Sequence, residues 1–233
     1  MRPLNDGSRL VLMPGLDGSG ELFAPLLPLI DRHFEIIVVR YPDLDSFEDY
    51  VNHARACLPD GGPVALLAES FSSPVAIALM AEDRSRIRGA VLSAGFACSP
   101  RPLLSRAARY LPSGLVSCRP LYRLCLDLCA LGGGEYPEAR ALSLSLMPHF
   151  DPAAMKHRAV LLQRLDVTGL LPEISLPVLC LRAGRDRVVP GKHADILLRG
   201  LRNARCIDID GPHLLLQARP RECAAQIIRH LAV

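Results

Sequence analysis

Short apolar runs recur along the chain at Arg9–Met13, Glu35–Val39, Val64–Ala68, Ala90–Leu92, Val178–Arg182 and Cys206–Ile209, and longer segments of helical period separate them. The runs are rich in Val, Ile and Leu and show little alternation. That is the pattern of strands buried on both faces of a parallel sheet. Parallel neighbours need crossover connections, and the intervening segments are long enough to be helices. Strand alternating with helix therefore predicts an α/β chain with a mostly parallel, doubly wound sheet. At 233 residues the chain suits one such domain with room for an inserted subdomain.

The interval between Leu92 and Val178 is too long for one crossover. Residues 101–165 read as helices broken by Pro112, Pro120, Gly132–Gly134 and Pro148. The expected organisation is a core of residues 1–100 and 166–233 carrying a helical cap insertion at 101–165. The plain alternative is a set of peripheral helices. Half the residues are hydrophobic and 22% are charged, as in a globular domain, and the net charge of +3 is too small to suggest a nucleic-acid partner. Apolar stretches such as 22–30 are short and interrupted by proline, so no membrane span is expected. A turn-like Asn5-Asp6-Gly7 precedes the first run where a leader would need an apolar stretch. The eight cysteines show no metal-ligand spacing, and only Cys125 and Cys129 fall close together. They read as ordinary thiols of a reducing compartment, so a cytoplasmic location without a metal is expected.

The third run leads into Glu69-Ser70-Phe71-Ser72-Ser73-Pro74 and then Val75-Ala-Ile-Ala-Leu-Met80. This is strand, sharp turn, helix. A serine at such a turn is held exposed at the strand's carboxyl end, and the residues two before and two after it must be small. Here they are Ala68 and Ser72. Pro74 falls in the first helical turn, where a missing N–H costs little, and the helix presents its positive end to the serine. The turn alone is equally compatible with an N-cap serine at 70, 72 or 73.

The first run ends in Met13-Pro14-Gly15-Leu16-Asp17-Gly18-Ser19-Gly20. A phosphate-binding loop would require a lysine at fixed spacing, and the glycines at 15, 18 and 20 do not fit a dinucleotide fingerprint. A glycine-rich turn here can aim a backbone N–H across the sheet edge. Paired with the residue after the serine, it would make an oxyanion hole from the Leu16 and Phe71 N–H groups.

Pro177-Val-Leu-Cys-Leu-Arg182 runs into Ala183-Gly184-Arg185-Asp186-Arg187-Val188-Val189-Pro190, and Cys206-Ile-Asp-Ile-Asp210 runs into Gly211-Pro212-His213. Asp186, flanked by arginines, reads alone as a surface turn. His213, of the seven histidines, is the one that follows a strand by a Gly-Pro turn. Ser70, Asp186 and His213 each fall at a strand's carboxyl end, where open α/β sheets bind ligands. The order serine, acid, histidine predicts a Ser70 nucleophile, a His213 base and an orienting Asp186.

With these motifs, Leu-Met-Pro-Gly-Leu-Asp-Gly-Ser-Gly (12–20), Ala-Glu-Ser-Phe-Ser (68–72), Ala-Gly-Arg-Asp-Arg-Val-Val-Pro (183–190) and Gly-Pro-His (211–213), the chain resembles the α/β-hydrolase superfamily over essentially its full length. It is most similar to small bacterial capped carboxylesterases, including the pimeloyl-[acyl-carrier protein] methyl ester esterase group. It departs from them in carrying Pro14-Gly15 where His-Gly is frequent, in lacking both elbow glycines, and in showing none of the antiparallel strands that open the full fold. The resemblance implies hydrolysis of a small acyl ester through an acyl-enzyme, with no cofactor.

In the insertion, Arg101, Arg106, Arg109, Arg119 and Arg123 interleave with Leu103, Leu104, Leu111, Leu115, Leu121 and Leu124. The expectation is that the leucines, Leu103 and Leu104 among them, line an acyl pocket beside Gly15. The arginines, Arg106 and Arg109 in particular, would face an anionic partner such as an acyl carrier protein. The alternative is a solvated arginine face. The same three residues would also serve a thioesterase, a lactonase or an acyltransferase, and the fold also serves non-catalytic binding proteins. A dehalogenase would need an aspartate at the elbow.

Overall fold

A computed structural model of the protein describes residues 8–83, 85–110, 112, 118–133 and 136–231. The turn at Asn5-Asp6-Gly7 and the leucines at 111 and 115 lie outside the described residues. Six strands form one sheet: β1 (Arg9–Met13), β2 (Glu35–Val38), β3 (Val64–Glu69), β4 (Ile87–Ser93), β5 (Val178–Ala183) and β6 (Ala204–Ile209). All pair in parallel in the order β2-β1-β3-β4-β5-β6. Each apolar run found in the sequence is a strand, with ends shifted by a few residues at most. The chain steps outward from β1 to β2 and then crosses back to β3, so its winding reverses between β1 and β3. That reversal opens a crevice at the carboxyl ends of these two strands.

Successive side chains of each strand feed opposite faces. Leu10, Leu12, Leu67, Val91, Leu179 and Leu181 pack on one face with Phe23, Ile30, Leu216 and Ile227. Val11, Met13, Leu66, Ala68, Leu92 and Cys180 pack on the other with Tyr50, Val75 and Leu79. Helices α1 (Leu27–Ile30) and α10 (Pro220–Leu231) cover the first face, and α2 (Phe47–Ala56), α3 (Ser72–Glu82) and α8 (Lys192–Gly200) the second. The α2 start is fixed by a capping box: the Asp49 N–H donates to the Ser46 hydroxyl and the Ser46 N–H to the Asp49 carboxylate. Every residue of α3 from Ser72 to Met80 is buried, which is why its sequence shows no polar face.

Between β4 and β5 lie α4 (Pro102–Ala108), α5 (Arg119–Cys125), α6 (Pro137–Leu146) and α7 (Pro152–Leu161), each opening with proline in its first turn. Cys98 of the outgoing chain and Asp166 of the returning chain form an antiparallel bridge. The bridge is flanked by Ser99 N–H to Leu165 O and Val167 N–H to Ala97 O. The short α9 (Leu215–Ala218) follows β6. No helix among the described residues is long and apolar enough to cross a membrane.

Candidate active site

At the end of β3 the backbone turns sharply into α3. Ser70 holds φ at +48°, a left-handed conformation that costs a non-glycine residue about 1 kcal/mol or more. The turn is fixed by the Ser70 N–H donating to Ser93 O at the end of β4 (2.9 Å) and the Ser73 N–H donating to Ser70 O (2.9 Å). Ser72, where glycine would also fit, is wholly buried and uses its hydroxyl: it donates to the Pro14 carbonyl and lies 3.1 Å from the Tyr41 hydroxyl. The elbow is thereby tied to the loop after β1.

That loop closes on itself through Gly18 N–H to Gly15 O (3.1 Å) and is tied to the segment after β2 by Tyr41 N–H to Gly18 O (2.8 Å). The Asp17 carboxylate accepts from the Ser19 N–H and hydroxyl. Gly20 has φ of +75° and lies against β2 so closely that a Cβ would sit 2.3 Å from the Val38 side chain, so glycine is required there.

Asp186 closes a turn, its N–H donating to Ala183 O (3.2 Å), but its side chain is buried rather than on the surface. Its Oδ1 accepts from the Val188 and Val189 N–H groups (2.8 Å each) and its Oδ2 lies 2.8 Å from His213 Nδ1. The flanking arginines go elsewhere, Arg185 to Asp210 and the Tyr136 hydroxyl and Arg187 to the Leu128 carbonyl. Arg185 N–H also donates to Gly211 O (2.9 Å), joining the loops after β5 and β6. With Nδ1–H donated to Asp186, the neutral imidazole presents the Nε2 lone pair to the Ser70 hydroxyl at 3.0 Å. Burial opposes a charge on His213, but the Asp186 carboxylate, its hydrogen bond and the Glu69 carboxylate outweigh it and raise the imidazole pKa.

Ser70 and His213 open on a cavity of about 430 Å³. Gly15, Leu16, Ser70, Phe71 and His213 line it from the sheet edge, and Leu121, Tyr122, Leu126, Phe150 and Met155 from the segment between β4 and β5. Among the described residues, neither the Leu16 nor the Phe71 N–H has a protein acceptor. Leu103 and Leu104 are not part of the lining. They are 79% and 65% exposed, because α4 buries only Ser105 and turns its leucines outward. Arg106 and Arg109 are likewise exposed and stand on that outer face. Arg101 is committed to the Val188 and Arg187 carbonyls. Among the described residues no cluster of His, Cys, Asp and Glu gathers to hold a metal ion, and all eight cysteines are free thiols.

The structure adds two groups that sequence patterns did not mark. Glu69, at the foot of Ser70, is 3% exposed. Burial, with the nearby Asp17 charge, pushes its carboxyl up to about 7, against the opposing Gln217 hydrogen bond and His213. Arg158 of α7 is wholly buried behind the loop after β1. The motif Ala-Glu-Ser shows Glu69's position but not its burial, and Lys156-His157-Arg158 reads as an exposed charge run.

Solved structures repeat this architecture. An enol-lactonase from Burkholderia xenovorans LB400 matches with a TM-score of 0.80 at 16% identity, covering 100% of this chain and 94% of that one. A thermophilic esterase from Thermogutta terrifontis matches at 0.78 and 18%, covering 97% and 91%. The chain has the α/β-hydrolase fold. In sequence it is 30% identical over 227 residues to the polyketide synthase ThaQ of Burkholderia thailandensis, a match over 88% of this chain that spans 11% of that protein's length. No family model matches the chain.

Proposed function

We propose that the protein is a serine hydrolase that cleaves an acyl ester with a long apolar acyl chain. The hydrogen-bonded series Asp186–His213–Ser70 opening on an apolar cavity carries this reading. His213 Nε2 takes the Ser70 proton as Oγ attacks the acyl carbonyl, while Asp186 holds the tautomer and stabilises the imidazolium. The Leu16 and Phe71 N–H groups receive the developing oxyanion. The imidazolium then protonates the departing alcohol, and water, deprotonated by His213, releases the acid from the acyl-enzyme. The inserted helices act as a cap over the acyl chain. The cavity of about 430 Å³ falls in the size range of small-molecule sites and is lined mainly by apolar side chains.

A thioester is the second reading, favoured by the likeness to one segment of a polyketide synthase, since polyketides are assembled from acyl units. In that case the exposed Arg106 and Arg109 face the acidic surface of an acyl carrier, and their reversal to glutamate slows carrier-bound substrates more than free ones. The test of the main reading is turnover of p-nitrophenyl esters of increasing chain length by the wild type and Ser70→Ala. Activity peaking at long chains and lost about a millionfold in the variant supports it. Equal rates in both proteins reject it.

A further inference from the structure

Arg158 is the largest of the fully buried side chains. Its Nη1 donates to the carbonyls of Leu16 (2.9 Å) and Asp17 (3.1 Å), its Nη2 to those of Tyr41 (2.9 Å) and Pro42 (3.2 Å), and its Nε to the Tyr50 hydroxyl (3.2 Å). Burying a guanidinium is costly unless its donors are met. Here every nitrogen is bonded, and carbonyl dipoles take up the charge. An apolar side chain would fill such a site at lower cost, so the arginine calls for a reason.

The reason lies in what it holds. The Gly15 carbonyl is bound by the Gly18 N–H (3.1 Å), and across a trans peptide the Leu16 N–H points the opposite way. Arg158 fixes the next two carbonyls, those of Leu16 and Asp17. The backbone on both sides of the Leu16 N–H is thus immobilised, on one side by the loop itself and on the other by a helix of the insertion. Gly18 leaves room for this, since a Cβ there would lie 2.7 Å from the guanidinium carbon. One turn before Arg158 on the same helix, Met155 lines the acyl cavity. The helix that lines the cavity therefore also braces the loop after β1.

We propose that Arg158 is a positioning residue for catalysis: it holds the Leu16 N–H where the carbonyl oxygen becomes negative. This rests on the serine-hydrolase reading. The test compares wild type, Arg158→Lys, Arg158→Met and Ser70→Ala. Lysine keeps the charge and bulk but cannot reach both pairs of carbonyls, so it decides the matter if the methionine variant does not fold. Each protein is assayed for kcat and KM on a long-chain p-nitrophenyl ester. Binding is measured for two inhibitors of that chain length: a trifluoromethyl ketone, to which Ser70 Oγ adds, its proton passing to His213, to give an anionic hemiketal, and the corresponding alcohol, which does not add.

A misplaced oxyanion donor costs roughly 100-fold in turnover. The expected result for Arg158→Lys is therefore kcat lower by about 100-fold, ketone affinity lower by a similar factor, and KM and alcohol affinity within about threefold of wild type. An arginine that only stabilises the fold would lower the melting temperature and leave the ratio of ketone to alcohol affinity unchanged, and that result overturns the proposal. A wild type no faster than Ser70→Ala overturns the hydrolase reading itself, and this inference with it.

Discussion

Glu69→Gln converts the buried carboxyl beside the nucleophile into a neutral isostere. In the folded protein burial, aided by the Asp17 carboxylate, lifts the Glu69 pKa from its ordinary 4.5 to about 7. The fold therefore favours the protonated form. The stabilisation from that preference is present in full below about pH 4.5 and is lost as pH rises through about 7. At about 1.4 kcal/mol for each tenfold change in proton activity, the total is about 3.5 kcal/mol. Glutamine cannot ionise, so the variant keeps this stability at alkaline pH. His213 also loses stabilisation as pH rises through its raised pKa, but the part supplied by Asp186 is common to both proteins and cancels in the comparison.

The assay is urea unfolding of both proteins at pH 5, 7 and 8.5. Between the extremes the variant should gain about 2–3 kcal/mol relative to wild type, which at a slope near 3 kcal/mol/M moves the midpoint by about 1 M. The same substitution removes a negative charge that supports the His213 imidazolium. The acidic limb of the kcat/KM profile, which requires neutral His213, should therefore move to lower pH. Stability curves that run parallel within about 0.5 kcal/mol across this range would refute a buried carboxyl that ionises near neutrality.

Two further outcomes follow from the site. Asp186→Asn removes the carboxylate that fixes the His213 tautomer, and kcat should fall by about 10⁴-fold with the circular dichroism spectrum unchanged; a smaller loss than tenfold would take Asp186 out of the mechanism. Leu126, 5% exposed and lining the cavity, becomes an obstruction as Leu126→Trp. Chain-length profiles should then show kcat/KM for the longest esters reduced roughly 10-fold or more while acetate is unaffected.

The legible parts of this chain are those in which one residue type has one explanation. Runs such as Val64–Ala68 are apolar on both faces because the sheet is covered on both faces, and each stands as a strand with nearly the expected ends. The proximity of Ser70, Asp186 and His213 was legible because each lies in the loop or turn after such a run, so strand position supplied the spatial information that sequence separation hides. The insertion lacked that frame. α4 and α5 both carry leucines among arginines, yet Leu103 stands 79% exposed while Leu121 lines the cavity. Helical period defines a face but not what the face meets. Arg158 shows the same gap in its sharpest form. Four of its five acceptors are the carbonyls of Leu16, Asp17, Tyr41 and Pro42, the fifth being the Tyr50 hydroxyl, and a backbone carbonyl exists at every residue. No opposite charge in the sequence announces such a contact. A charged residue that recognises backbone leaves its only trace in three dimensions, and here the backbone it grips belongs to the loop on which the proposed chemistry depends.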